Sequence, residues 1–176
     1  ENFNLSSIPD GMFLNAISLK SVELPDKIHI IGGFAFDGSG LEYINIGSTI
    51  TEIEFGAFSN CKSLKSLIIP DNVEYIGDAF ASNCDALETV KIGNGTRYLG
   101  RKAFMNCGAL KSVEIGAGIT EIKEDLFYEC NTLEDVILHG DITIIEPFAF
   151  AYCANLKNFN FPKNLNYIGY FGFIGC

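Results

Sequence analysis

The chain of 176 residues has no tryptophan, two histidines, and no cysteine outside one strict period. Basic side chains are also few, 12 against 22 acidic ones, for a formal charge of -10. Each shortage excludes something. Nucleic acid and anionic membranes demand a basic face, so neither is expected as a partner. The acidity reads as solubility rather than as an acidic binding patch. Apolar residues are spread evenly, and no run is long enough to cross a bilayer. The opening ENFNLSSIPDG has neither the basic nor the apolar segment of a signal peptide. A mature secreted protein and a fragment of a longer chain would both begin this way. Catalytic and metal patterns are missing too. His29 and His139 lie in unrelated stretches, and there is no Ser-His-Asp set, paired-carboxylate arrangement or C-x-x-C pair of the kind zinc favours. The Gly-rich string GNGTRYLG (93–100) reads as turn residues, not as a phosphate loop. No catalytic, cofactor or metal residue is assigned.

What is present is a period. Cys61, Cys84, Cys107, Cys130, Cys153 and Cys176 are spaced by 23 residues and are all the cysteines of the chain. A fixed period of this length is the mark of a solenoid, each repeat forming one coil with equivalent residues stacked. Counting each cysteine as zero, offset three holds Leu64, Leu87, Leu110, Leu133 and Leu156. Offset six holds Leu67, Val90, Val113, Val136 and Phe159, and offset eight Ile69, Ile92, Ile115, Leu138 and Phe161. Offset twenty holds Phe104, Phe127, Phe150 and Phe173. The Cys61 coil has Ala81 there and Phe80 one place early, which predicts a small local shift of its turn. Gly38 and then Ala16 take the cysteine slot towards the start, and the Ala16 coil is one residue short. Six complete coils after Ala16, preceded by a partial one, form a single domain over 1–176 with no internal linker.

Alternation at offsets four to eight predicts a short strand, for example Lys65 to Ile69. A second extended piece is expected at offsets twelve to fifteen, as in Val73 to Ile76, and a single helical or 3-10 turn before each cysteine. Parallel, in-register stacking also explains offset four, which reads Lys20, Glu42, Lys65, Glu88, Lys111, Glu134, Lys157. With strands about 4.8 Å apart, every Lys then lies between Glu neighbours. Each exposed pair contributes only about 0–1 kcal/mol, but like charges would oppose a slip by one coil. The cysteines read as buried free thiols at the corner of each coil. A disulfide would join coils in pairs, whereas the ladder treats every coil alike, and Gly38 and Ala16 fill the same slot.

The string L-x-x-L/V-x-I-P/G-x-x-V/I-x-x-I-G-x-x-A-F-x-x-C resembles the 23-residue BspA-like (treponemal) leucine-rich repeat. SLKSLIIPDNVEYIG and the endings AFSNC, AFMNC and AFAYC carry the resemblance over nearly the whole chain. It implies a right-handed leucine-rich superhelix with a parallel β-sheet on the concave face. The slot after the strand holds Lys27, Thr49, Asn72, Gly95, Gly118, Asp141 and Asn164, so the Asn ladder of the better-known leucine-rich pattern is not expected there. The resemblance also implies an extracellular or cell-surface location and binding of host or partner proteins.

Offsets five and seven point out from the predicted sheet and give the candidate partner-binding residues. They are Tyr43, Asn45, Ser66, Ile68, Lys91, Glu114, Asp135, Ile137 and Asn160, with Tyr43, Ile68 and Ile137 as apolar or aromatic anchors. For the two isoleucines, simple strand preference explains the residue equally well. A second row at offset fourteen (Ile30, Tyr75, Tyr98, Ile144, Tyr167), with Arg97 beside Tyr98, reads first as cover for the core edge. Three functions follow in order: a non-enzymatic protein-binding module, a structural spacer, and a carbohydrate-binding solenoid. The last would show aromatics clustered with carboxylates, and Tyr43 beside Glu23 is too little for that. Neither end shows a polar cap, which predicts a longer array or end-to-end pairing.

Overall fold

In a computed structural model describing residues 5–157 and 159–176, successive laps of the chain stack as a parallel-strand solenoid. Asn158, at offset five of the last coil, lies outside the described residues. The strands are β1 (Ser7–Ile8), β2 (Ile30–Ile31), β3 (Glu52–Ile53), β4 (Ser66–Ile69), β5 (Tyr75–Ile76), β6 (Thr89–Ile92), β7 (Tyr98–Leu99), β8 (Ser112–Ile115), β9 (Glu121–Ile122), β10 (Asp135–Leu138), β11 (Ile144–Ile145) and β12 (Tyr167–Ile168). Coils begin at Ala16, Ser39, Cys61, Cys84, Cys107, Cys130 and Cys153, seven in all and one more than the count of six. Buried Ser39, its Oγ 3.4 Å from Cys61 Sγ, takes the cysteine slot in place of Gly38, which holds the left-handed place before it (φ 66°). The short coil is therefore the one from Ser39 and not the one from Ala16.

The longer strands form one parallel sheet in the order β10-β8-β6-β4, with equivalent residues opposite, such as Leu67 against Val90. This sheet covers four coils only. Offsets five to seven of the flanking coils carry Tyr43-Ile44-Asn45 and, at offset seven, Asn160; asparagine is a poor strand former. The short strands pair into two further parallel ladders, β1-β2-β3-β5-β7 and β9-β11-β12, so the second extended piece is present at offsets fourteen and fifteen.

The third wall corrects the expectation of helical turns. In each coil the residues at offsets 18 and 22 have positive φ, for example Ala79 (52°) with Asn83 (57°), and Lys102 (59°) with Asn106 (59°). Amides at offsets 18, 20 and 22 donate to carbonyls of the next coil. Lys102 N reaches Glu124 O at 3.1 Å, Phe104 N reaches Leu126 O at 3.0 Å, and Asn106 N reaches Tyr128 O at 2.8 Å. Intervening amides close turns within the coil, as from Met105 N to Lys102 O at 3.1 Å. A helix spends its amides along its own axis. Here half of them are spent between coils, so the wall is a stack of β-turns, and no helix occurs among the described residues. Asparagine recurs before cysteine because it tolerates the left-handed conformation.

Inside run the apolar columns. Phe13, Phe36 and Phe58 stack nearly parallel, and so do Phe104, Phe127, Phe150 and Phe173. Phe80 continues the column edge-on, at 84° to Phe58 and 87° to Phe104. The expected shift of its turn does not occur. Phe58 N still reaches Phe80 O, and Ala81 N still reaches Ala103 O, both at 2.8 Å, so the backbone register is unchanged. Phe80 and Ala81 have exchanged places, and both are fully buried.

Five cysteines are buried free thiols, while Cys176, on the last coil, is exposed. Each sulfur donates to a carbonyl 25 or 26 residues earlier, one layer down the stack of turns: Cys84 to Phe58 O at 3.2 Å, Cys107 to Ala81 O at 3.2 Å, Cys130 to Phe104 O at 3.0 Å. A small apolar side chain with one weak donor suits that corner. Burial pushes Cys61 up to about 11 and Cys153 up to about 12, so both stay protonated. The glycines of 93–100 owe their place to packing more than to turn conformation. A Cβ on Gly95 would sit 1.8 Å from the Asp71 carbonyl oxygen.

Candidate functional site

Strand alternation puts Leu67, Ile69, Val90, Ile92, Val113 and Ile115 inside and leaves Ser66, Ile68, Thr89, Lys91, Asp135 and Ile137 exposed. The register sets Ile68 opposite Lys91, Lys91 opposite Glu114, and Glu114 opposite Ile137. The four-stranded face therefore gathers six of the nine candidate residues: Ser66, Ile68, Lys91, Glu114, Asp135 and Ile137. Tyr43 and Asn45 belong to the neighbouring coil, outside the sheet, where they line a hollow of 340 Å³ with Ser21 and Glu23. Asn160 stands beyond the opposite edge, in a groove of 520 Å³ lined also by Ile137, His139, Asp141 and Phe161.

The centre of the face is charged and closed on itself. Lys91 Nζ and His139 Nε2 both approach Glu114 Oε1 at 3.0 Å. The hydrogen bond from Lys91, followed by that from His139, holds the Glu114 carboxyl below its usual range. His139 was not legible as a site residue. Its one signal was that it replaces the Gly or Pro found at offset nine in the other coils. Apolar side chains flank the cluster, with Ile68 66% and Ile137 53% exposed, and Tyr43 further out at 63%. Below the face, Lys111 Nζ lies 2.9 Å from Glu88 and Lys20 Nζ 3.3 Å from Glu42. Lys65 is tied through its backbone to both Glu42 and Glu88, as the charge alternation required.

On the second row, Tyr75 and Tyr98 stack at 4.9 Å, and Tyr98 Oη donates to Asp78 Oδ1 at 3.2 Å. Each ring thus covers the other. Among the described residues no cluster of three or more His, Cys, Asp or Glu is placed to hold a metal ion.

Parallel coils of this length, with one leucine-lined sheet and a phenylalanine spine, define a leucine-rich-repeat solenoid. The chain belongs to the BspA-type leucine-rich repeat family, whose model matches in six copies over residues 2–108 and 78–176. Among solved structures it is similar to a leucine-rich repeat protein from Eubacterium ventriosum, at 27% identity and a TM-score of 0.83, over 89% of this chain and 42% of that one. It is similar to the leucine-rich repeat protein of T. pallidum, at 27% identity and a TM-score of 0.83, over 90% and 74%. A leucine-rich cell surface protein from Faecalibacterium prausnitzii matches at 25% identity and a TM-score of 0.54, over 94% and 57%. The chain thus spans less than half of the Eubacterium protein. No curated protein matches it. Solenoids of this class are generally non-catalytic and serve as interaction or structural modules.

Proposed function

We propose that this chain is a protein-binding module of a secreted or surface-exposed bacterial protein, and that it holds a host or matrix protein on its four-stranded face. The observation that carries this reading is the pair Ile68 and Ile137. They stand exposed on the two outer strands of the sheet, about 14 Å apart at three strand spacings. A few side chains carry most of the energy of a protein interface, and Ile68 and Ile137 are the exposed large apolar side chains of this sheet. Glu114, already engaged by Lys91 and His139, adds orientation more than affinity. Location is supported by the family, whose members are typically surface or secreted proteins. No helix among the described residues is long and apolar enough to cross a membrane.

The test is capture of immobilised matrix proteins by the chain and by a Tyr43→Ala, Ile68→Ser, Ile137→Ser triple variant. The variant is expected to lose capture while its thermal unfolding midpoint stays within a few degrees, since all three side chains are exposed. Equal capture by the variant would remove the assignment. Failure of the wild type to capture any protein would favour the spacer reading.

A further inference from the structure

The stack of turns carries a surface of its own. Positive φ at offsets 18 and 22 is imposed by the backbone in every coil. It costs an ordinary L residue about 1–2 kcal/mol, and less for Gly and Asn. In the first half of the chain Gly and Asn hold most of these places, such as Gly56, Asn60 and Asn83, and Phe34 (55°), edge-on against Phe55, is the aromatic exception. In the last coils they are held by Phe148 (57°), Tyr152 (63°) and Phe171 (56°). Tyr152 is 42% and Phe171 57% exposed, and neighbouring Tyr170 is 60% exposed. With half-buried Tyr128 and Phe148 these rings form one cluster: Tyr128–Tyr152 at 5.5 Å, Tyr128–Phe148 at 6.5 Å, Phe148–Tyr170 at 5.3 Å and Phe148–Phe171 at 5.4 Å. Folding explains one of them in part, since Tyr152 packs over Gly175, where a Cβ would lie 2.7 Å from the ring. Tyr170 and Phe171 lie against Phe148 at 5.3 and 5.4 Å and leave most of their rings exposed. Large rings kept in water at strained backbone positions point to a use outside the fold.

The polar groups beside the rings narrow that use. They are acceptors: Asp125, and Glu129 next to Tyr128. Lys102 Nζ lies 3.8 Å from Asp125, and Arg101 is turned to Glu124 and Glu146. A pyranose is the complement of such a surface. One of its faces is C–H and lies against aromatic rings, and its hydroxyls donate to carboxylates. Nucleic acids and sulfated chains are opposed by the net charge of -10. This is the pairing of aromatics with carboxylates that the four-stranded face lacks.

We propose that the aromatic turn wall formed by Tyr128, Phe148, Tyr152, Tyr170 and Phe171, with Asp125 and Glu129 at its rim, is a binding site for neutral glycans. It lies on a different wall from the sheet and stands or falls independently of it. The test probes an array of neutral glycans with the fluorescently labelled chain, alongside glycoproteins before and after enzymatic deglycosylation. At least one neutral glycan, free or protein-linked, is expected to be retained. Tyr152→Asn and Phe171→Asn install a residue the chain itself uses at offset 22. Each is expected to cut retention about tenfold, the worth of one aromatic contact, while the unfolding midpoint holds or rises as strain is relieved. Tyr170→Ser, outside the strained positions, is expected to weaken retention with folding unchanged, which separates loss of the site from loss of the fold. Retention of no neutral glycan, or equal retention by the double Asn variant, would overturn the site. So would ring-dependent binding confined to deglycosylated protein, which would make the wall a protein surface.

Discussion

The sheet wall and the turn wall are built on the same period, and they treat it in opposite ways. On the sheet wall the backbone is regular in only four coils, while the charge pattern at its margin alternates through all seven. On the turn wall the hydrogen bonding repeats in every coil, while the side chains vary without order, from Phe34 and Gly56 through Lys102 and Asp125 to Phe148 and Phe171. Strand pairing tolerates interruption because the apolar columns beneath it still stack. The turns tolerate none, because each left-handed residue sets the direction of the next bond to the following coil. Variation therefore collects in the backbone on one wall and in the side chains on the other.

The columns both walls share should show the largest effect. Phe104→Ala is expected to cost about 3–5 kcal/mol in urea unfolding. Phe80→Ala should cost as much, and Phe80→Ala with Ala81→Phe should recover to within about 1–1.5 kcal/mol of wild type, because the register there is normal. A double variant as unstable as the single one would show that the Cys61 coil is distorted after all.

Alkali probes the corner between the walls. Burial raises Cys61 to about 11 and Cys153 to about 12, from an ordinary value of 9.0. Folded values above the unfolded one mean that this stabilisation is whole below about pH 9.0 and is lost as pH rises through 11 to 12. The urea midpoint should fall across that window, and fall less in a Cys61→Ala, Cys153→Ala variant. A thiol reagent should label Cys176 first, since it alone is exposed.

Glycine should have opposite signs on the two walls. Lys102→Gly, at φ 59°, is expected to leave stability unchanged or raise it by about 1 kcal/mol. Thr89→Gly in β6 should lower it by about as much. Equal signs in thermal unfolding would end the contrast. The smallest effect belongs to the charge row: Glu88→Gln should lower the urea midpoint only slightly, and the difference should vanish in high salt.

The inward columns were legible because equivalent residues meet their own kind one coil on, so size and polarity recur at a fixed step. Leu64, Val90, Ile115 and Phe127 needed only counting. Six of the nine proposed binding residues fell on one sheet for the same reason, and Tyr43, Asn45 and Asn160 did not, because a strand also needs residues willing to extend. The aromatic wall left a trace in Tyr128, Phe148, Tyr152, Tyr170 and Phe171. Their offsets, however, are not those of the core, and a reading led by buried periodicity passes over them.

By itself the sequence determined the lap length, the parallel stacking and the composition of each column, since a one-dimensional repeat leaves every residue only one kind of neighbour. Only the tertiary structure decided that turns replace helical segments, that thiols answer carbonyls, that Glu114 takes two partners, and that strained rings share one patch. Those outcomes depend on torsion angles and on the direction of individual polar atoms across the gap between coils, and periodicity carries neither.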